Sequence, residues 1–195
     1  MGQRTASRQR KTKETEIEVL LNLDGEGKAD VEMDIPFFPH LLTSMAFHAG
    51  WDLGIRASGD AKLVDAHHTV EDVGIVLGEA FAECLKDKRG IRRFATAFIP
   101  MDDALSMVSV DCSGRAYFFY DVPEMGEHVG QFEVALVEEF FRAFTYSAKI
   151  TLHAKIWWGK NNHHCLESLF KAAGRALCEA TTIFGETIPS TKGLL

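Results

Sequence analysis

Hydrophobic and polar positions along this chain change period several times, and each change predicts an element. Ile17, Val19, Leu21 and Leu23 alternate with polar neighbours, the period of a strand with one buried face. After the turn signal Asp24-Gly25 the alternation resumes at Ala29, Val31, Met33 and Ile35. That predicts a hairpin with a Gly-containing loop, stopped by Pro36. "FFPHLLTSMAFHAG" predicts a helix with Gly50 just past its end, and "WDLGIRAS" a further strand. "HHTVEDVGIVLGEAF" then reads as an amphipathic helix with its apolar stripe at Val70, Val73, Leu77, Ala80 and Cys84.

The same order returns in the second half. "LSMVSVDC" and "RAYFFYDV" flank Ser113-Gly114 and predict another hairpin. "QFEVALVEEFFRAFTYSA" is helical, "KITLHAKIWW" is a strand, and "NNHHCLESLFKAAGRAL" is a closing amphipathic helix. The two His-His helices align under one shift of 96 residues, from His67 to His163. Their stripes coincide, with Leu166, Leu169, Ala173, Ala176 and Ala180 in the second. Gly78 falls on Gly174, which predicts close helix approach at both points. The chain therefore reads as an α+β protein of two β-β-α-β-α halves, about 14–90 and 91–185, with a short tail at 186–195. Neither half encloses enough apolar surface alone, so pairing them predicts one domain over 1–195. The one candidate linker, "KDKRGIRRFATAFIP", is short and partly apolar.

Composition narrows the partners. Net charge is −7 with the eight histidines neutral, which argues against nucleic acid as a partner. The basic start "RTASRQRKTK" has no apolar run behind it and is expected to be a solvated tail. No stretch reaches the length of a membrane span, and Cys84, Cys112, Cys165 and Cys178 show no CxxC spacing. Reduced, buried thiols in a cytoplasmic protein are the expectation.

The candidate chemistry lies in the duplicated His-His-x-x-Glu. Residues i and i+4 of a helix point nearly the same way, so His67 with Glu71, and His163 with Glu167, can each grip one cation. His68 and His164 are rotated by about a quarter-turn and must reach elsewhere. A lone histidine at a helix start is usually an ordinary surface residue; recurrence of the whole unit in an internal duplication is what points to metal. Two ions are expected, each taking a pair from one half and the odd histidine from the other. His40 and Glu139, on equivalent preceding helices, supply the fourth ligands. The sets are His67, Glu71, His164 and Glu139 for one ion, and His163, Glu167, His68 and His40 for the other, closed within one chain or between subunits. Imidazole with carboxylate suits Zn, Fe, Ni or Mn alike.

Around these sets lie cations that fit an anionic substrate: Arg92 and Arg93, Arg115 after a tight turn, and Lys171 two turns beyond His163. The terminal Ser190, Thr191 and Lys192 add hydroxyls and an ammonium. Glu14, Asp102 and Asp103 precede equivalent strands and are candidate acid–base groups.

These residues carry a resemblance. "KETEIEV", "PHLLTSMAFHAGWDL", "HHTVEDVGIVLGEA", "GIRRF", "PMDDAL", "VDCSGRAY", "EEFFRAF", "TLH", "NNHHCLESLFKA" and "IPSTKG" resemble the imidazoleglycerol-phosphate dehydratases from about Arg10 to Leu195. The resemblance implies a fold like domain 2 of ribosomal protein S5, two four-stranded sheets with helices packed between them. It implies two Mn²⁺ per active site and a 24-subunit assembly of trimers with active sites at subunit interfaces. The implied reaction is a hydro-lyase step of histidine biosynthesis, dehydration of D-erythro-imidazole-glycerol phosphate to imidazole-acetol phosphate, with the ions binding the substrate imidazole or imidazolate. Carried over residue by residue, the metal positions are His40, His67, His68, Glu71, Glu139, His163, His164 and Glu167. Substrate positions are Glu14, His40, His48, Arg93, Arg115, Lys171, Ser190, Thr191 and Lys192. Glu14 is the expected acid–base group, assisted by His48 or Asp102. Pro39, Ser44, Ala66 and Glu139 depart from the commoner pattern. The rival readings are a dinuclear phosphoester hydrolase and a structural metal-binding assembly protein.

Overall fold

The computed structural model describes residues 3–195. The first half runs β1 (Thr5–Lys11), β2 (Thr15–Asn22), β3 (Ala29–Met33), α1 (Phe38–Ala49), β4 (Asp52–Gly59) and α2 (His67–Leu85). The second runs β5 (Phe94–Met101), β6 (Ala104–Asp111), β7 (Tyr117–Asp121), the short β8 (His128–Val129) and β9 (Phe132–Glu133), α3 (Leu136–Ala148), β10 (Thr151–Trp158) and α4 (Asn162–Thr181). Each half makes a four-stranded mixed sheet of one topology, β1-β2-β4-β3 and β5-β6-β10-β7. The helices lie between the sheets and cross-pair, α1 of the first half on α4 of the second, and α2 on α3.

Three expectations are corrected. The basic start is no frayed tail: residues 5–11 form β1, antiparallel to β2 from Thr5↔Asn22 to Lys11↔Glu16. Its alternation is invisible because Ala6 is its one buried side chain. Acids of the same chain neutralise its cations, Arg4 on Asp24, Arg8 on Glu83, Arg10 on Asp72 and Lys11 on Glu16. Likewise the segment that a two-domain reading would need as linker contains β5, so each half is β-β-β-α-β-α, the second with the short β8–β9 pair added before α3. The inward side chains of β5 include only the small Ala95 and Ala97 beside Ile99 and Met101, which let α4 sit close.

The third correction concerns both hairpins. β2 and β3 do not pair; β4 slots between them, antiparallel to β2 and parallel to β3. The loop after β2 crosses the start of β4, where Asp52 Oδ1 accepts the N–H groups of Glu26 (2.9 Å) and Lys28 (3.1 Å). In the second half β7 lies parallel to β10, not beside β6. The Ser113-Gly114 link crosses to β10, with the Tyr117 N–H donating to the Ile150 carbonyl. Alternation reports a half-buried strand but says nothing about which strand lies next to it.

The buried side chains form one connected set drawn from both halves. At its centre Phe38, Phe140, Phe141 and Phe170 pack ring on ring, with centroids 4.8–6.5 Å apart. Each such ring, fully buried, stabilises the fold by roughly 2–3 kcal/mol relative to exposure. The paired glycines lie where expected. A Cβ on Gly78 would stand 2.6 Å from the Phe144 carbonyl oxygen, and one on Gly174 would collide with that of Met45. Gly74 adds a second close approach on α2, against Phe140, where the equivalent α4 position is the bulky Phe170.

The outward faces of the two sheets differ. On the first, Gln9, Lys11, Glu16, Glu18, Glu32 and Arg56 form a polar surface knit by ion pairs and hydrogen bonds. On the second, Phe94, Phe98, Tyr117, Phe119 and Trp157 remain 42–56% exposed. All four cysteines are free, three of them buried and Cys178 half-buried. No helix of the described residues is long and apolar enough to cross a membrane.

Candidate metal centre

Helix α4 begins at an Asn161 cap, whose side chain accepts the His163 N–H at 2.9 Å. From there His163, Glu167 and Lys171 follow at intervals of four along one face, as the spacing predicts. His163 Nε2 lies 2.9 Å and Lys171 Nζ 2.8 Å from the two oxygens of Glu167. Across the helix pair, α1 delivers His40, with Nε2 3.1 Å from the same Glu167 oxygen. Ligand atoms of His40, His163 and Glu167 all lie within 4.8 Å of one another. Burial opposes ionisation of Glu167, whose side chain is 10% exposed. Hydrogen bonds from Lys171, His40 and His163 outweigh it and bring the carboxyl down to about 2. An ionised, sheltered carboxylate facing two imidazoles is a donor set that fits a divalent cation, and its three ligands leave coordination positions open.

The helix that presents His40 starts under strain. Phe37 has φ +71°, and Pro39 occupies the first turn, where a missing N–H costs nothing. Departure from the commoner residue before His40 thus leaves the helix start intact. The Phe37 ring packs 5.8 Å from His40 and 4.8 Å from His163, an apolar wall beside the cluster. Neither the strain nor the wall had a signal in the sequence.

The equivalent trio is not gathered. His67 and Glu71 stand at the start of α2, with the His67 N–H capped by Asp65 at 2.8 Å. Glu139 on α3 faces Arg142 instead, at 3.6 Å. Among the described residues the His40 trio is the one three-ligand group. His68 and His164 diverge from their neighbours as expected, with adjacent rings crossed at 87° and 79°. His68 Nδ1 lies 3.0 Å from Asp60 Oδ2 and 4.0 Å from Glu14 Oε2. His164 Nδ1 lies 2.6 Å from Asp103 Oδ1, and its Nε2 lies 3.5 Å from Asp102 Oδ2. Neither ring joins the cluster of its own chain.

The anion-binding residues also separate into two places. Arg93, at φ +75°, donates from Nε to Asp111 (2.7 Å) and from Nη1 to the Pro189 carbonyl (2.9 Å). Arg115 reaches the same Asp111 at 3.9 Å, and Lys192 N–H donates to Ser190 Oγ. Arg93, Arg115 and the Ser190–Lys192 tail therefore share one end of the second sheet. Lys171 does not. The Arg93 N–H is held by the Ala180 carbonyl, nine residues along α4 from Lys171, roughly 13 Å along the axis. His48, in the last turn of α1, stays with Lys171. Burial, then the Lys171 and Arg175 charges, lowers its pKa and keeps the imidazole neutral at pH 7.

Glu14 sits on the β1–β2 turn with its side chain 56% exposed. Thr12 Oγ1 accepts the N–H groups of Glu14 and Thr15, each at 3.0 Å, and Thr15 Oγ1 donates to the buried Asp72 of α2. Asp102, at φ +47°, occupies the two-residue β5–β6 turn, a conformation that Asp tolerates. Asp60, Asp111 and Arg175 were not anticipated as site residues. Of these, Asp111 alone had a signal, an acid four residues before Arg115 at a strand end.

Comparison with known proteins identifies the family. The family profile described as imidazoleglycerol-phosphate dehydratase matches residues 33–177. A dehydratase of that name from Alkaliphilus metalliredigens (strain QYMF) is 57% identical over 188 residues, covering 95% of this chain and 96% of the relative. One from Caldicellulosiruptor bescii is 50% identical over the whole of both chains. The crystal structure of imidazoleglycerol-phosphate dehydratase from Staphylococcus aureus subsp. aureus N315 superposes with a TM-score of 0.83 at 38% identity. It covers 92% of this chain and 99% of that one. The Pyrococcus furiosus enzyme gives the same score and identity over 96% of this chain and 100% of that one. The chain belongs to the imidazoleglycerol-phosphate dehydratase family of hydro-lyases.

Proposed function

We propose that this chain, like the dehydratases it resembles, converts D-erythro-imidazole-glycerol phosphate to imidazole-acetol phosphate, a step of histidine biosynthesis in the cytoplasm, at a centre of two Mn²⁺ ions. The convergence of His40 and His163 on one sheltered oxygen of Glu167 carries the reading. His67, Glu71 and Glu139 would hold the second ion, with His68 and His164 completing the two sets. Bound divalent ions supply Lewis acidity to the substrate imidazole and a template for its orientation.

Completion of each active site by neighbouring subunits has three supports. His68 and His164 lie outside the trio of their own chain, each against a carboxylate. Lys171 Nζ lies 3.7 Å from Met101 Sδ, at the opposite end of β5 from Arg93, so Lys171 and the Arg93–Arg115 end are too far apart to grip one phosphate. The aromatic outward face of the second sheet is of the kind that oligomers cover. A 24-subunit assembly of trimers, the arrangement the family resemblance implies, satisfies all three.

In the reaction a proton leaves the carbon that becomes the ketone, and a hydroxyl leaves the carbon beside the ring as water. Glu14, exposed on a braced turn beside His68, would move that proton, with neutral His48 or Asp102 assisting. Arg93, Arg115, Lys171, Ser190, Thr191 and Lys192 bind the phosphate, and that remote binding orients the ring. Replacing Glu14 by Gln is expected to lower turnover by roughly 10²–10⁴-fold while leaving Mn²⁺ content unchanged; full activity would remove Glu14 from the mechanism. Product analysis separates the rival enzyme, since a phosphoester hydrolase releases inorganic phosphate and a dehydratase does not.

A further inference from the structure

His68 and His164 occupy equivalent positions in the two repeats, and each has a carboxylate at Nδ1, yet the two carboxylates come from unrelated elements. Asp60 belongs to the loop 60–66 between β4 and α2. The corresponding link between β10 and α4 is only residues 159–161, without an acid, and there the task falls to Asp103 of the β5–β6 turn. In the first half the turn equivalent to that of Asp103 carries Glu14, which stands 4.0 Å from His68 Nδ1, beyond hydrogen-bond reach. Asp60 holds the nearer place at 3.0 Å, with its side chain 16% exposed and its other oxygen, Oδ1, buried without a partner.

We propose that Asp60 and Asp103 are the positioning residues for His68 and His164, and that the longer loop of the first repeat, by supplying Asp60, releases Glu14 for proton transfer. The inference rests on the metal reading above. An imidazole has two nitrogens. A carboxylate on Nδ1 fixes the hydrogen there, turns the ring and leaves Nε2 as the free donor atom for an ion. Two histidines related by duplication thus reach one state by different routes. The difference leaves the first half's turn acid, Glu14, uncommitted, while in the second Asp103 also accepts the N–H groups of Lys160 (2.5 Å) and Asn161 (3.0 Å). Its neighbour Asp102 lies 3.5 Å from His164 Nε2, where an ion would draw that ring away from it.

The test is Mn²⁺ titration of the metal-stripped protein, following free Mn²⁺ by its electron paramagnetic resonance signal. Asp60→Ala is expected to weaken binding by about 10–100-fold, the range for losing an outer-shell carboxylate. Asp60→Asn, which keeps an acceptor, should weaken it less, and Glu14→Gln should bind as the wild type does. In a His68→Ala background Asp60→Ala should cause no further loss, a result that a merely structural role would not give. Asp103→Asn, still able to hold its loop, should behave as Asp60→Asn does. Wild-type affinity in Asp60→Ala, the same additional loss without His68, or weakened binding in Glu14→Gln would each overturn the proposal. A wild-type protein that bound no Mn²⁺ would instead remove the metal reading itself.

Discussion

Helices α1 and α4 carry three ligands to one point, whereas α2 and α3, related to them by the same duplication, leave theirs ungathered. The difference has local causes. On α1 the fourth-ligand position is His40, whose ring reaches Glu167; on α3 it is Glu139, which lies beside Arg142. On α2 Gly74 and Gly78 both admit the α3 backbone, while α4 has Phe170 at the first of these levels. Duplication preserved the positions of the chemistry, and the packing beneath it then diverged. The outward faces diverged further, one sheet charged and the other aromatic.

The largest effect expected from breaking this comparison is at Glu167. Glu167→Gln should cost more Mn²⁺ affinity than the roughly 10–100-fold of an outer-shell change, with activity lost in proportion, read by metal analysis and turnover. In the metal-free protein it also acts on stability. The folded-state pKa of Glu167 is depressed from 4.5 to about 2. Its contribution is therefore fully present above about pH 4.5 and lost as pH falls through about 2. Urea midpoints of metal-free wild type and Glu167→Gln should differ at pH 7 and converge below pH 2.

The outward faces give the next contrast. Phe98→Lys should lower the assembly state, seen by sedimentation, while Leu20→Lys on the charged sheet should leave it unchanged. Equal effects would remove the distinction between the faces. Gly78→Ala and Gly174→Ala should each destabilise by about 1–3 kcal/mol, since the added methyl meets a backbone carbonyl that cannot step aside. Thermal unfolding reads this, and a neutral result at either site would show that the helix pair can spread. The smallest effect belongs to Arg142→Ala. Freeing Glu139 from an exposed pair is worth no more than about 1 kcal/mol, so Mn²⁺ affinity should rise a few-fold at most.

Much of this was legible in the chain because periodicity and i, i+4 spacing are local. The four helices, α3 starting at Leu136 rather than at Gln131 because Phe132–Glu133 forms β9, the Gly50 stop, the Gly78–Gly174 equivalence and the alignment of His163, Glu167 and Lys171 follow from residues within a few turns. Strand order was not legible, because β4 enters between β2 and β3 through contacts made dozens of residues away. β1 was hidden by its composition: a charged edge strand gains its structure from pairing with β2 and from acids elsewhere, not from an apolar face of its own. The candidate ligand types were legible, but not their surroundings. That Asp60 and Asp103 lie against the diverging histidines, or that Phe37 walls the cluster, depends on loop conformations for which the sequence has no period.

The central claim is that the duplicated His-His-x-x-Glu motif is a metal centre for dehydration. Its most direct test is to add Mn²⁺ stepwise to metal-stripped protein and measure bound metal and imidazole-acetol phosphate formation together. The account predicts no product without metal, activity rising with occupancy to two Mn²⁺ per active site, and both responses abolished in Glu167→Gln. Full turnover by the metal-free protein, or Mn²⁺ binding that never brings activity, would contradict it.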